Sequence, residues 1–285
     1  MQRCLASAVG HPQIVTTLHM NEINKDSKTT INVICIKWGS GYPASYVNKL
    51  KSMVKRNTSY EVNFYCFTDD ANGLDSDVIS KPIPQIKVQP NGCFKRETAF
   101  FSPNLGGLKN QRVYYFDLDV IVSGNLDTLF SHPKDDQFYI INDWASKGNV
   151  VGQGSCFSWV ISDKYNDITS DYEQNKSSID AKYGTASQEY LSDKIITKQG
   201  QLNFWPEEWF CSFRFHCLPH PLLRYFRPPE IPSNPDLKVI VFHGYPNPEE
   251  ALEGRWPDKK KHRWKVWKKL YKHVMPTKWI AEYWR

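Results

Sequence analysis

Two carboxylates, Asp117 and Asp119, stand one residue apart at the end of the apolar run VYYFDLDVIVSG, residues 113–124. In an extended chain, side chains alternate. Both acids therefore face one way, and Leu118 faces the other, into the core. Two neighbouring carboxylates repel unless a shared proton or a cation resolves the conflict. A divalent metal, with oxygen ligands and open positions for phosphate, is the usual answer. The plain alternative is an acidic strand end in water, because a DxD triplet alone is a weak motif. A second feature agrees with the metal reading. In VIVFHGYP, His243 ends another strand-like run, and Gly244 beside it permits close approach. Two carboxylates plus one imidazole favour Mn²⁺ over Mg²⁺, since imidazole is the softer ligand.

Strands must carry these groups to one edge. INVICIKW (31–38) is short, apolar and β-branched, as a buried parallel strand is. After the turn GSGYP, ASYVNKLKSMVKRN places Val47, Leu50 and Val54 at helical spacing. EVNFYCFTDD (61–70) is a second strand ending in acids. Strand, helix, strand is a βαβ unit, whose ligands bind at the carboxyl edge of its strands. Residues 71–90, rich in Pro, Asp and Gly, are expected as loop. QRVYYF delivers the acid pair, and NLDTLF is a helical turn capped by Asn125. QFYIIND and SCFSWVIS are further strands, SQEYLSDKII is helical, and DLKVIVFHGYP is the last strand.

The chain has 285 residues, 40% of them hydrophobic, enough for one sizeable α/β domain. Its aromatics argue against disorder. No apolar run approaches the roughly 20 residues that span a bilayer. Residues 1–30 read as a loosely ordered extension and a poor signal peptide. Seven cysteines at scattered spacing, with no CxxC, predict reduced thiols and a cytoplasmic setting. The net charge of +6 is uneven: residues 254–285 hold eleven Lys/Arg and two acids, so the remainder carries −3. This predicts three parts: the extension 1–30, a body 31–253, and a basic, Trp-rich tail 254–285.

With these residues in view, YYFDLDVIVSGNLDTLF resembles the DxD segment of GT-A fold glycosyltransferases, especially family 8 and related bacterial transferases. VFHG resembles that family's C-terminal His-Gly, and SQEYLSDKI its DQ-x-x-L segment, over roughly residues 31–248. The resemblance implies a Rossmann-like mixed sheet flanked by helices. It implies that Asp117, Asp119 and His243 bind Mn²⁺ (or Mg²⁺) bridging the diphosphate of a nucleotide-sugar, most simply a UDP-sugar. Lys37, Trp38, Gly39 and Tyr42, with Asp69, Arg96 and Leu118, would meet the nucleotide. Lys95, Gly154, Ser155 and Gly244 would meet the sugar, and Asp143, Gln188 and Glu189 would serve catalysis. The family's first Asp of the DQ segment is Ser187 here, which leaves Gln188 and Glu189 as the carried-over pair. Family 8 enzymes retain the anomeric configuration, so the resemblance leans to retention. An inverting enzyme would need a carboxylate base near the acceptor, for which Asp143, Glu189, Glu207 and Glu208 are candidates.

Two rivals are open. The acid pair approaches the first motif of haloacid-dehalogenase-type phosphatases, with Asp117 as nucleophile, but Ile121 stands where Thr or Val belongs. A sugar-binding module without turnover is the other. In the tail, Trp264, Trp267, Leu270, Tyr271 and Val274 form one helical stripe among lysines, within a helix expected from Arg263 to Val274 and stopped by Pro276. This pattern suits an anionic membrane surface and a peripheral enzyme acting on a glycan acceptor that could be lipid-linked. The acidic body argues against nucleic acid as a partner.

Overall fold

Residues 29–90, 99–134, 136–146, 148–257 and 272–285 are described by the computed structural model. The extension (all but its last two residues), Lys95 and Arg96, and residues 258–271 of the basic stretch lie outside the described residues.

The chain opens with β1 (Thr30–Lys37), α1 (Ala44–Arg56) and β2 (Glu61–Thr68), the expected βαβ unit. There follow β3 (Ile79–Pro82), β4 (Arg112–Phe116), β5 (Val120–Val122), α2 (Asp127–Ser131), β6 (Tyr139–Asn142) and β7 (Gly152–Val160). Helices α3 (Asp167–Tyr183) and α4 (Ser187–Gln199) precede β8 (Asn203–Phe204), β9 (Phe210–Ser212) and β10 (Val239–Val241), and α5 (Pro248–Glu253) and α6 (Ile280–Tyr283) close the chain. One seven-stranded sheet runs β3-β2-β1-β4-β7-β6-β8. Its β3, β2, β1 and β4 are mutually parallel, whereas β7 is antiparallel to both β4 and β6. A second sheet runs β5-β10-β9.

Strand alternation builds two cores. Val33 and Cys35 of β1, with Tyr114 and Phe116 of β4, pack with Val47, Leu50 and Val54 of α1 and with β5 and β10. Ile34 and Ile36, with Val113 and Tyr115, face the opposite side, against Ile168, Tyr172, Leu191 and Ile195 of α3 and α4. A sheet covered on both faces explains why β1 reads as a continuous apolar run.

Two expectations are corrected, and one helix is added that the sequence reading did not contain. The stretch 71–90 is not all loop: Ile79–Pro82 pairs with β2 as an edge strand, where a terminal proline is tolerated. Helix α3 carries no clear apolar stripe, burying only Ile168, Tyr172 and Ile179, so periodicity does not reveal it. The end of the chain is not a separate tail. Residues 272–276 are not helical, and Val274, Ile280 and Trp284 are buried in the first core. The Trp284 ring meets Tyr46 edge-on at 4.8 Å, and Lys49 Nζ lies 3.4 Å over it. A boundary drawn from surface charge could not detect these three apolar side chains filling space left by α1. The other stripe residues, Trp264, Trp267, Leu270 and Tyr271, lie outside the described residues.

Candidate active site

The acid pair marks the crossing between the two sheets. Strand β4 stops at Phe116, residues 118–119 form a turn, and β5 starts at Val120 in the smaller sheet. Asp117 therefore follows the strand end and Asp119 lies in the turn, yet both line one cleft of ≈ 390 Å³. Ile36, Trp38, Gly39, Tyr42, Tyr115 and Leu118 share its lining. Leu118 is buried in the core as expected and shows its edge to the cleft. Because β1 and β4 are parallel, their carboxyl ends arrive together, and this is where the cleft opens.

Hydroxyl groups hold the carboxylates. Tyr115 Oη donates to Asp117 Oδ1 (2.5 Å) and Ser155 Oγ to Asp117 Oδ2 (2.7 Å). Tyr42 Oη donates to Asp119 Oδ2 (2.8 Å). Burial, then the Asp119 charge, pushes the Tyr42 phenol far above its ordinary range, so it stays a proton donor. Trp38 is 38% exposed at the rim, leaving a ring face available for a flat base. Gly39, at φ 58°, turns the chain out of β1 and donates its N–H to both Asp69 oxygens (3.2 and 3.0 Å). Asp69 thus shapes the rim and does not line the cleft. Lys37 is buried, and its ammonium donates to the Asp70 carbonyl (3.0 Å).

A second set of residues reaches Asp117 from β7 and α4. The Asp117 N–H donates to the Ser155 carbonyl (2.9 Å), extending the β4–β7 ladder past the strand end. Gln153 Nε2 donates to Ser155 Oγ (2.9 Å), and Gln153 Oε1 accepts the Ser155 N–H (2.8 Å). Gln188 Oε1 accepts the Gly154 N–H (3.3 Å), and Ser192 Oγ bridges Gly152 N–H (2.9 Å) to the Gln188 carbonyl (2.6 Å). Gln188 and Asp117 are thus each hydrogen-bonded to the adjacent residues Gly154 and Ser155. Glu189, next along the first turn of α4, has a buried Oε2 that meets no hydrogen-bond partner among the described residues.

Asp143 lies elsewhere, in a neighbouring hollow of ≈ 220 Å³ with Asn142, Trp144, Trp205 and Glu207. Its Oδ2 accepts from Ser146 Oγ (2.6 Å). His243 is placed beside the acid turn by the main chain, since the Phe242 N–H donates to the Asp119 carbonyl (3.1 Å). Its side chain turns away: Nε2 is hydrogen-bonded with Ser212 Oγ (2.6 Å), and the ring stacks against Trp144 at 6.2 Å. Burial, then the Arg214 charge, holds this imidazole below its usual pKa, so the neutral form is favoured. Gly244, at φ 80°, follows in the exposed turn. Among the described residues, no three His, Cys, Asp or Glu side chains stand close enough to hold a metal ion. The structure brings Asp117 and Asp119 to one cleft but leaves the His243 ring on Ser212. Two carboxylates fixed by hydroxyls are a hard oxygen set that suits a divalent cation.

Sequence reasoning missed Tyr115, Trp144 and Ser212. The i, i+2 spacing of Tyr115 and Asp117 was a usable signal for the first, and Trp144 adjoins Asp143. Ser212 gave none, because its partner lies 31 residues away.

No protein-family model and no curated protein sequence matches this chain. Solved structures do. The crystal structure of the glycosyltransferase GlyE from Streptococcus pneumoniae aligns at TM-score 0.50 and 13% identity, over 76% of this chain and 56% of GlyE. The chain thus spans little more than half of GlyE. An active-site variant of LgtC aligns at TM-score 0.51 and 11% identity, over 87% of this chain and 99% of LgtC. LgtC with donor and acceptor sugar analogs aligns at TM-score 0.49 and 12% identity. At these identities the likeness establishes the fold: a mixed α/β sheet flanked by helices, of the GT-A type.

Proposed function

We propose that this protein is a metal-dependent glycosyltransferase that moves a sugar from a nucleotide-sugar, best a UDP-sugar, to a hydroxyl of a glycan acceptor. The observation that carries the reading is the convergence of Asp117 and Asp119 on a cleft walled by Trp38 and Tyr42, with Asp117 hydrogen-bonded to Ser155 and Gln188 to the adjacent Gly154. Trp38 and Tyr42 bind the base and ribose. Asp117 and Asp119, joined by His243 once its ring leaves Ser212, hold Mn²⁺ or Mg²⁺. The cation supplies Lewis-acid neutralisation of the leaving diphosphate. The hydroxyls of Tyr115, Ser155 and Tyr42 fix the two carboxylates before substrate arrives, so little reorganisation is needed during transfer. Gln188 and Gly154 border the sugar. Left unmet, a buried carboxylate oxygen is costly, and a sugar hydroxyl would satisfy Glu189 Oε2, which meets no donor among the described residues. Asp143, in the adjoining hollow beside Trp144, serves the acceptor side, with Gly244 in the turn after His243. Lys95 and Arg96 remain donor-side candidates. Membership of family 8, retention of configuration, a cytoplasmic setting and seating on an anionic membrane through the basic stretch belong to the same proposal. Among the described residues, no helix is long and apolar enough to cross a membrane.

The test is release of nucleoside diphosphate from a panel of nucleotide-sugars, with Mn²⁺ and with chelator. No release from any donor would sink the proposal, and binding without release would make the protein a sugar-binding module. Two variants probe the parts. Gln188→Ala lowers turnover by roughly a hundredfold while nucleotide affinity changes little, because its group borders the sugar and not the base. An unchanged rate removes Gln188 from the site. His243→Ala raises the Mn²⁺ needed for half-maximal activity by roughly tenfold or more, with activity recovering at high Mn²⁺. An unaltered Mn²⁺ dependence leaves His243 as a partner of Ser212 and Trp144 only.

A further inference from the structure

Between β9 and β10 the chain makes an excursion whose tip exposes apolar side chains to water. Leu222 is 76% exposed and Phe226 77%, with Leu223 and Tyr225 also exposed. The tip is nonetheless an ordered turn. The Leu223 N–H donates to the His220 carbonyl (2.7 Å), and the Phe226 and Arg227 N–H groups both donate to the Leu223 carbonyl (2.9 Å each). Lower down, the Glu230 N–H donates to the Cys217 carbonyl (3.0 Å) and closes the base. A hydrogen-bonded turn that presents Leu and Phe outward keeps an apolar patch in water at a cost, which marks an interaction surface.

Charge selects the partner. Residues 213–229 contain three arginines, two histidines and no acid. Arg224 lies over the Trp256 ring at 5.8 Å, and Tyr225 stacks flat on His273 at 4.0 Å. Between Trp256 and His273 the sequence carries eight Lys/Arg and one acid. The most basic stretch of the chain thus leaves from and returns to this turn. Apolar tips set among cations match the boundary of an anionic bilayer, where rings and aliphatic groups enter the headgroup layer and arginines meet lipid phosphate. A nucleic acid would satisfy the charge but leave Leu222 and Phe226 in water.

We infer that the turn at residues 221–227 is a bilayer-docking element that inserts Leu222 and Phe226 into an anionic membrane surface. The same excursion carries Phe215, whose ring lies 5.3 Å from the His243 ring, so docking brings the candidate active site to the lipid face. The inference deepens the membrane-seated half of the proposed function and rests on it, while standing apart from the transfer chemistry.

The experiment sediments the full-length protein with vesicles of phosphatidylcholine alone and with about a third phosphatidylglycerol. It compares the parent, the double variant Leu222→Ser with Phe226→Ser, and a variant with Lys259, Lys260 and Lys261 changed to Gln. Diphosphate release without vesicles and melting temperature are read in parallel. The expected result is binding of the parent to phosphatidylglycerol vesicles only, weakened about tenfold or more in the serine variant. Melting and vesicle-free release stay at the parent's values, since both side chains are exposed. A serine variant that binds like the parent overturns the docking element and leaves basic charge as the sole seat. A parent that ignores phosphatidylglycerol vesicles overturns the membrane reading altogether, with release still reporting on transfer. A parent that self-associates, with serine changes dispersing it and vesicle binding unaltered, makes the patch a contact between copies and overturns the inference. If the double variant melts lower, Phe226→Ser alone decides on the same criteria.

Discussion

Asp117→Asn and Asp119→Asn each abolish Mn²⁺-stimulated release of nucleoside diphosphate, by about a thousandfold, which corresponds to about 4 kcal/mol of transition-state stabilisation. Asparagine keeps the size of the side chain and one carbonyl oxygen, so the cleft keeps its shape. It removes the charge that a divalent ion requires. The Asp117 variant also loses some stability. Asp117 accepts hydroxyls at both oxygens, from Tyr115 and Ser155. An amide can accept at only one, so the other hydroxyl must turn away at a cost of about 1 kcal/mol. Asp119 accepts the Tyr42 hydroxyl at Oδ2, and in Asp119→Asn the amide oxygen would still accept it. Melting curves and donor hydrolysis on the same samples check both statements. Near-normal turnover in either variant would show that the pair holds no catalytic metal.

Ending the chain after Glu253 prevents the body from folding stably. The cut removes Val274, Ile280 and Trp284 from the core shared by α1 and β10. Loss of a large buried apolar side chain costs about 2–5 kcal/mol, and three such losses reach the whole stability reserve of about 5–15 kcal/mol. The cut also strips the backbone carbonyls of Tyr283 and Arg285 from the Arg56 guanidinium. Even the Gly254 corner is built for this packing: a Cβ there would lie 2.7 Å from Pro276 Cδ. Trp284→Ala in the full chain is the graded version, with an expected loss of about 3–5 kcal/mol. Circular dichroism and denaturant unfolding of both proteins are the measurement. A truncated chain that unfolds like the parent would detach residues 272–285 from the core.

Local pattern determined the framework. The apolar run of β1, the stripe of α1 and the run of β4 each carry their period in contiguous residues, so the βαβ unit and the acid pair at a parallel strand's end were legible. The neighbourhood of Gln188, Gly154 and Ser155 came only from resemblance, and the structure supplies the hydrogen bonds of Gln188 with Gly154 and of Ser155 with Asp117. Polar composition hid α3, and a two-sided charge count hid the burial of Trp284. Tertiary structure alone decided what each polar group does. Lys37 and Asp69 stand at strand ends, where ligand contacts would lie, and in the fold each also hydrogen-bonds the main chain of the rim. The main chain at Phe242 ties His243's neighbour to the acid turn, while Ser212, 31 residues earlier in the chain, took the His243 ring. The physical reason is range. Periodicity and turn chemistry act over a few residues and leave their mark in sequence. A side chain's partner is whichever group the folded chain brings within about 3 Å, and no local spacing encodes that choice.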